Sequence, residues 1–87
     1  MHETGLVRDL IRRIDQAAAA NGAARVSGVR VWLGALSHLS AAHFREHFEV
    51  ESHGTPAEGA RLTIIESSDE SDPAAQHLLL ESLDLEV

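Results

Sequence analysis

The nine residues Arg25-Val26-Ser27-Gly28-Val29-Arg30-Val31-Trp32-Leu33 decide the fold class. Val29, Val31 and Leu33 fall on one side and Arg30 and Trp32 on the other, which is the period of a strand with one buried face. Gly28 breaks the alternation and is read as a β-bulge. Trp32, on the face opposite the valines, is read as covering sheet surface or a subunit contact. A strand this apolar on one side must be covered, and the flanking sequence supplies the cover.

Upstream, Thr4 to Asn21 sets Leu6, Val7, Leu10, Ile11, Ile14, Ala17 and Ala18 at helical spacing, with Arg8, Asp9, Arg12, Arg13, Asp15 and Gln16 on the other side. Thr4 is read as the N-cap and Gly22 as the stop. Downstream, Gly34 to Leu39 is a connector, and Ser40 caps a second helix that runs to about His53 and ends at Gly54. Leu39 and Phe44 are spaced as a hydrophobic staple, and Ala41, Phe44 and Phe48 form its buried stripe. Thr55 to Gly59 reads as a turn and Arg61 to Ile65 as a second strand. Ser67 to Pro73, with four acids or prolines among its seven positions, reads as a solvated acidic loop. Leu78 to Val87 reads as a last strand with Leu83, Leu85 and Val87 facing in and Ser82, Asp84 and Glu86 facing out.

The order helix, strand, helix, strand, strand predicts an α+β domain with two helices packed on one face of a three-stranded mixed sheet. The second helix then serves as the crossover between parallel neighbours. Eighty-seven residues make a single domain, 1–87. The absence of cysteine excludes a disulfide, a Cys-rich zinc site and a thiol nucleophile, and makes the cytoplasm the expected compartment. The start of the chain lacks the pattern of a signal peptide, and no apolar run is long enough to span a membrane. A formal charge of −7 argues against nucleic acid as a partner and favours cationic partners or metal ions.

Six histidines carry the candidate chemistry. His2 lies one residue behind the α-amine of Met1. The amine, the backbone nitrogens of His2 and Glu3 and a His2 ring nitrogen can lie nearly coplanar, a tetragonal nitrogen set that suits Ni(II) or Cu(II). The plainer alternative is a frayed chain end. His43-Phe44-Arg45-Glu46-His47 matches H-x-x-E-H, in which two histidines one helical turn apart bind zinc and the glutamate polarises a water. A hydrolase of that type needs a third ligand and a cleft, for which this chain has little material. The pair therefore reads as two partly exposed histidines flanking the Phe44/Phe48 stripe, with an adventitious metal site as the weaker reading. His38 reads as a loop residue, His53 as a helix-end residue stabilised by the helix dipole, and His77 as solvated. Asp69, Glu70 and Asp72 read as a solvent-facing charge run.

Four stretches taken in order, Met1-His2-Glu3 ahead of a helix, Val31 to Ser37, Gly54 to Ile64 and Ser82 to Val87, resemble the HypA/HybF family of nickel chaperones over nearly the whole chain. The resemblance implies a maturation factor, not an enzyme, that assists nickel insertion into nickel–iron hydrogenase and sometimes urease. It implies a HypB-like GTPase and the hydrogenase large subunit as partners, and it leaves a homodimer open. By that resemblance nickel is held at Met1, His2 and Glu3, through the terminal amine, backbone nitrogens and the His2 imidazole, with His38, His43 and His47 as weaker candidates. Two departures stand out. The family inserts a zinc ribbon of two Cys-x-x-Cys pairs between its last two strands, whereas residues 67–77 here form the acidic loop, so nickel and no zinc is expected. Ser40 stands where several relatives carry an acidic residue near the nickel. Two competing readings remain: a non-metal-binding adaptor that docks a hydrogenase subunit or the GTPase, and a small zinc hydrolase.

Overall fold

A computed structural model describes residues 3–87, with side chains described from residue 5 onward. The elements are α1 (Glu3–Ala20), β1 (Arg25–Leu33), α2 (Ala41–Glu51), β2 (Arg61–Glu66) and β3 (Leu78–Glu86). The sheet order is β2-β1-β3, with β1 parallel to β2 and antiparallel to β3. The chain is thus the expected α+β fold, with α2 inside the crossover between the two parallel strands.

Helix α1 buries Val7, Leu10, Ile11, Ile14 and Ala18. Because it begins at Glu3, Thr4 lies inside its first turn and is not the cap the sequence suggested. At the far end Gly22 takes φ +66°, and the Ala23 N–H closes onto the Ala18 carbonyl at 2.9 Å, satisfying one of the carbonyls a helix end leaves open. Ser40 caps α2 as read: it sits in extended backbone and its Oγ accepts from the His43 N–H at 3.3 Å. Phe44 and Phe48 are buried with ring centroids 6.2 Å apart. The helix stops at Glu51, two residues short of the expected end: the Ser52 N–H still bonds the Phe48 carbonyl at 2.9 Å, but the His53 N–H turns to the Val50 carbonyl at 3.3 Å, tightening the last turn.

The helix-facing side of the sheet is set by two bulges. Val26 pairs with Leu85 and Gly28 with Asp84, leaving Ser27 as the extra residue in β1. Arg30 pairs with Ser82 and Val31 with Leu80, leaving Glu81 as the extra residue in β3. The first is the expected bulge at Gly28. The second lets Leu78 and Leu80 face the core together with Leu83 and Leu85. Val87, expected to face in, lies beyond β3 and is 95 % exposed.

The acidic segment is not merely solvated. Leu36 donates to the Ala75 carbonyl at 2.7 Å, Gly34 to His77 at 2.9 Å and Ser67 to Leu33 at 2.9 Å, so residues 67–77 are stitched to the connector that follows β1. Ala75 is buried there. The carboxylates close turns: Asp69 accepts from the Ser71 N–H and Oγ, and Asp72 from the Ala74 N–H.

Gly34 is where the two segments press closest, since a methyl group there would lie inside the Ala75 backbone carbonyl. Gly34→Ala should therefore cost about 1–3 kcal/mol as an overpacking change. For a domain of this size that lowers Tm by roughly 4–8 °C per kcal/mol. Calorimetric melting checks it, and an unchanged Tm would show that the contact relaxes freely.

Candidate metal centre

Met1 and His2 lie outside the described residues, and of Glu3 only the backbone is described, as the first residue of α1. What the fold contributes to a terminal site is that helix start. The first N–H groups of a helix have no intrahelical acceptor, so amide nitrogens there can be taken by a metal without breaking a helix hydrogen bond.

The other candidates are spread along the chain. His38 is exposed in the connector, at the non-glycine φ of +61°, in the left-handed region that histidine enters more readily than most residues. His43 is exposed in the first turn of α2, and His47, one turn on, is half-buried. His53 lies past the helix end and pairs with Glu58 through Nδ1 at 2.5 Å, ionic only when the imidazole is protonated. His77 is exposed, as expected. Among the described residues no three histidine, aspartate or glutamate side chains come together as a group able to hold a metal ion. The H-x-x-E-H spacing of α2 therefore stands without a described third ligand.

Two features near α1 escaped the sequence reading. Arg8 reaches Glu51 of α2 at 3.0 Å, tying the two helices together at their surface. Asp15, assigned to the wet face, is half-buried, and its Oδ1 is sealed from solvent with no hydrogen-bond partner among the described residues. Burial pushes its carboxyl above the ordinary 3.8. The signal was available on the helical wheel, because position 15 adjoins both Ile11 and Ala18 of the buried stripe. On the outer face Asp9 lies between Arg12 and Arg13, and its hydrogen bond with Arg13 holds it below the usual carboxylate range.

A sequence model of the family described as "Hydrogenase/urease nickel incorporation, metallochaperone, hypA" matches residues 1–71. The chain belongs to the HypA family. It is 39 % identical over 66 residues to the hydrogenase maturation factor HypA of Rhodobacter capsulatus, covering 76 % of this chain and 58 % of that one. It is 42 % identical over 66 residues to HypA of Roseiflexus sp., covering 76 % and 54 %. The hydrogenase maturation factor HybF of Salmonella typhimurium is 39 % identical over 64 residues, covering 74 % and 57 %. The chain thus spans a little over half the length of the curated relatives it matches. The solution structure of the Ni metallochaperone HypA from Helicobacter pylori superposes with TM-score 0.82 over 99 % of this chain and 98 % of that one; at 20 % identity this speaks for the fold. Within the HypA fold, then, the family match covers α1 through β2 and ends in the acidic segment, ahead of β3. Among the described residues no helix is long and apolar enough to cross a membrane.

The Asp15 environment gives a test with a definite sign. A carboxyl whose folded pKa is raised makes folding bind a proton, so its ionised form destabilises the fold at neutral pH. That cost fades as pH falls through the folded pKa toward 3.8. Asp15→Asn should therefore raise Tm at pH 7, with the gain shrinking as the pH approaches about 4. A gain that is constant with pH, or a loss at pH 7, would mean that the carboxylate has a partner in the fold.

Proposed function

We propose that this chain is a nickel-binding metallochaperone unit, not an enzyme, which carries nickel as cargo for the maturation of a nickel–iron hydrogenase or a related nickel enzyme in the cytoplasm. The observation that carries the reading is the family match from residue 1, with Met1 and His2 preceding in sequence the first residue of α1, Glu3. The ligands are the Met1 amine, the backbone nitrogens of His2 and Glu3, and the His2 imidazole. His38, His43 and His47 stand outside that set. Its partners are a HypB-like GTPase and the hydrogenase large subunit, with self-association as a further contact. Residues 67–77 take the place of a zinc module: the family match breaks off at residue 71, and β3 follows at Leu78.

Amide nitrogens bind Ni(II) only after losing their protons, so uptake should release protons and fall steeply with pH, with His2 protonation adding to the loss below about pH 6.5. His2→Ala, or one residue added ahead of Met1, should abolish tight binding without unfolding the domain. The double variant His43→Ala/His47→Ala should leave it nearly intact. Calorimetric titration of nickel into these variants, prepared with a native terminus, decides the matter. Loss of affinity in the double variant alone would move the site to α2, and silence in the unaltered chain would leave the adaptor reading.

If no zinc holds the fold, thermal melts with and without a chelator should coincide. A chelator-dependent drop in Tm would reveal a structural metal.

A further inference from the structure

The sheet fixes which end of the domain each histidine occupies. Helix α2 lies in the crossover between parallel β1 and β2, and α1 turns back through Asn21 to Ala24 into β1, so both helices run opposite to β1 and parallel to each other. They therefore begin at the same end, where Leu33 closes β1 and Leu78 opens β3. His38 in the connector, His43 in the first turn of α2 and His77, whose carbonyl accepts from the Gly34 N–H at 2.9 Å, all belong to that end. His53, past the far end of α2, does not.

The Arg8–Glu51 contact at 3.0 Å sets the two helices in register. His43, His47 and Glu51 follow at four-residue spacing and form one stripe on α2, and the Glu51 end of that stripe reaches α1. One turn back along each helix, about 5.4 Å, sets His47 beside the first turn of α1. A further turn sets His43 beyond its start. His47 is half-buried there and His43 is exposed. Packed helices stand roughly 8–10 Å apart between axes. Met1 and His2 precede Glu3 in sequence, and two residues span at most about 7 Å. Of the described histidines, this pair on α2 is the one the helix register brings to the start of α1.

The pair and the terminal donors take nickel in different ways. Two imidazoles one turn apart bind Ni(II) through neutral nitrogens, with water in the remaining positions, and no amide has to lose its proton. Glu46, Glu49 and Glu51 outnumber Arg45 on α2 and attract a dication, while the partial positive charge at the helix start, where His43 sits, weakens the hold. With no third side chain among the described residues to close the shell, such a site takes an ion loosely and gives it up readily. An ion held so near is presented to the terminal donors at a far higher effective concentration than in bulk.

Resting on the reading of the terminus as the nickel site, we propose that His43 and His47 form a second, labile nickel station beside the start of α1, through which the ion enters and leaves the terminal site. A station that is only a passage speeds entry and exit by the same factor and leaves the equilibrium unchanged. The histidine pair thus governs how fast the cargo moves, and the terminal donors govern how tightly it is held.

Two measurements on chains with a native terminus test it, with circular dichroism confirming that each variant is folded. Stopped-flow absorbance follows the planar, amide-bound nickel complex as it forms and as a chelator strips it. His43→Gln/His47→Gln should slow both rates at least about threefold while the affinity stays nearly intact. In His2→Ala, which lacks the terminal imidazole, paramagnetic nickel should broaden the ring signals of His43 and His47 in the NMR spectrum before those of His38, His53 and His77. Unchanged rates in the double variant overturn the proposal, and so does broadening in His2→Ala that spares His43 and His47 or spreads over all five rings alike. If the unaltered chain forms no planar complex, the terminal reading falls and the passage with it. That outcome is distinct from failure of the station alone, in which the planar complex forms equally fast with and without the two histidines.

Discussion

Everything in this fold hangs from β1, which is hydrogen-bonded along both edges to neighbours of opposite direction while one of its faces carries the core. Side chains on a strand alternate, so a slip of one residue would turn the whole buried set outward. The sequence does not keep a perfect alternation: Val26 and Val29 are three apart, as are Leu80 and Leu83, yet all four are directed at the helices. A single extra residue in each strand, Ser27 and Glu81, corrects the phase. The first correction leaves Gly28 under Asp84 on the outer face, where any Cβ would collide with that carboxylate. Glu81, displaced by the second, pairs with Arg30 at 3.1 Å across the strands.

The strand order has a second consequence. With β1 between β2 and β3, the β2–β3 connection has to pass the end of β1, and it does so by borrowing backbone acceptors and donors from Leu33, Gly34 and Leu36. The path costs little side-chain burial beyond Ala75. It does demand tight turns, which the carboxylates of Asp69 and Asp72 supply by accepting nearby N–H groups. Acidic residues in this segment are therefore structural parts of a short bridge.

The elements were legible because each has a local cause: the helical spacing from Val7 to Ala18, the Ser40 cap, the alternation from Val29 to Leu33. What the sequence concealed lies between elements. Composition identified residues 67–77 as polar but could not say where their backbone groups would bond, and a run of leucines from Leu78 to Leu80 gives no sign of the bulge at Glu81. Asp15 is placed on the wet side by its charge, although Ile11 and Ala18, two of its neighbours on the helix surface, are buried. The Arg8–Glu51 bridge spans 43 positions and depends on how α1 lies against α2. For the metal, the sequence names candidate donors in the first three residues, and the fold adds that α1 begins at Glu3.

That beginning bears on the chemistry of the proposed site. A helix N-terminus carries a partial positive charge of about half a unit, which disfavours a bare dication and favours anionic donors. A nickel dication bound by an uncharged amine, an uncharged imidazole and two deprotonated amide nitrogens forms a complex with no net charge. The helix end then eases the loss of the amide protons while meeting no excess positive charge from the loaded metal. The same field opposes binding through neutral ligands alone, so a site at the residues preceding α1 would be biased toward ligation by deprotonated amides. The acids of the chain, outnumbering its arginines by fourteen to seven, draw a free cation toward the domain from a distance.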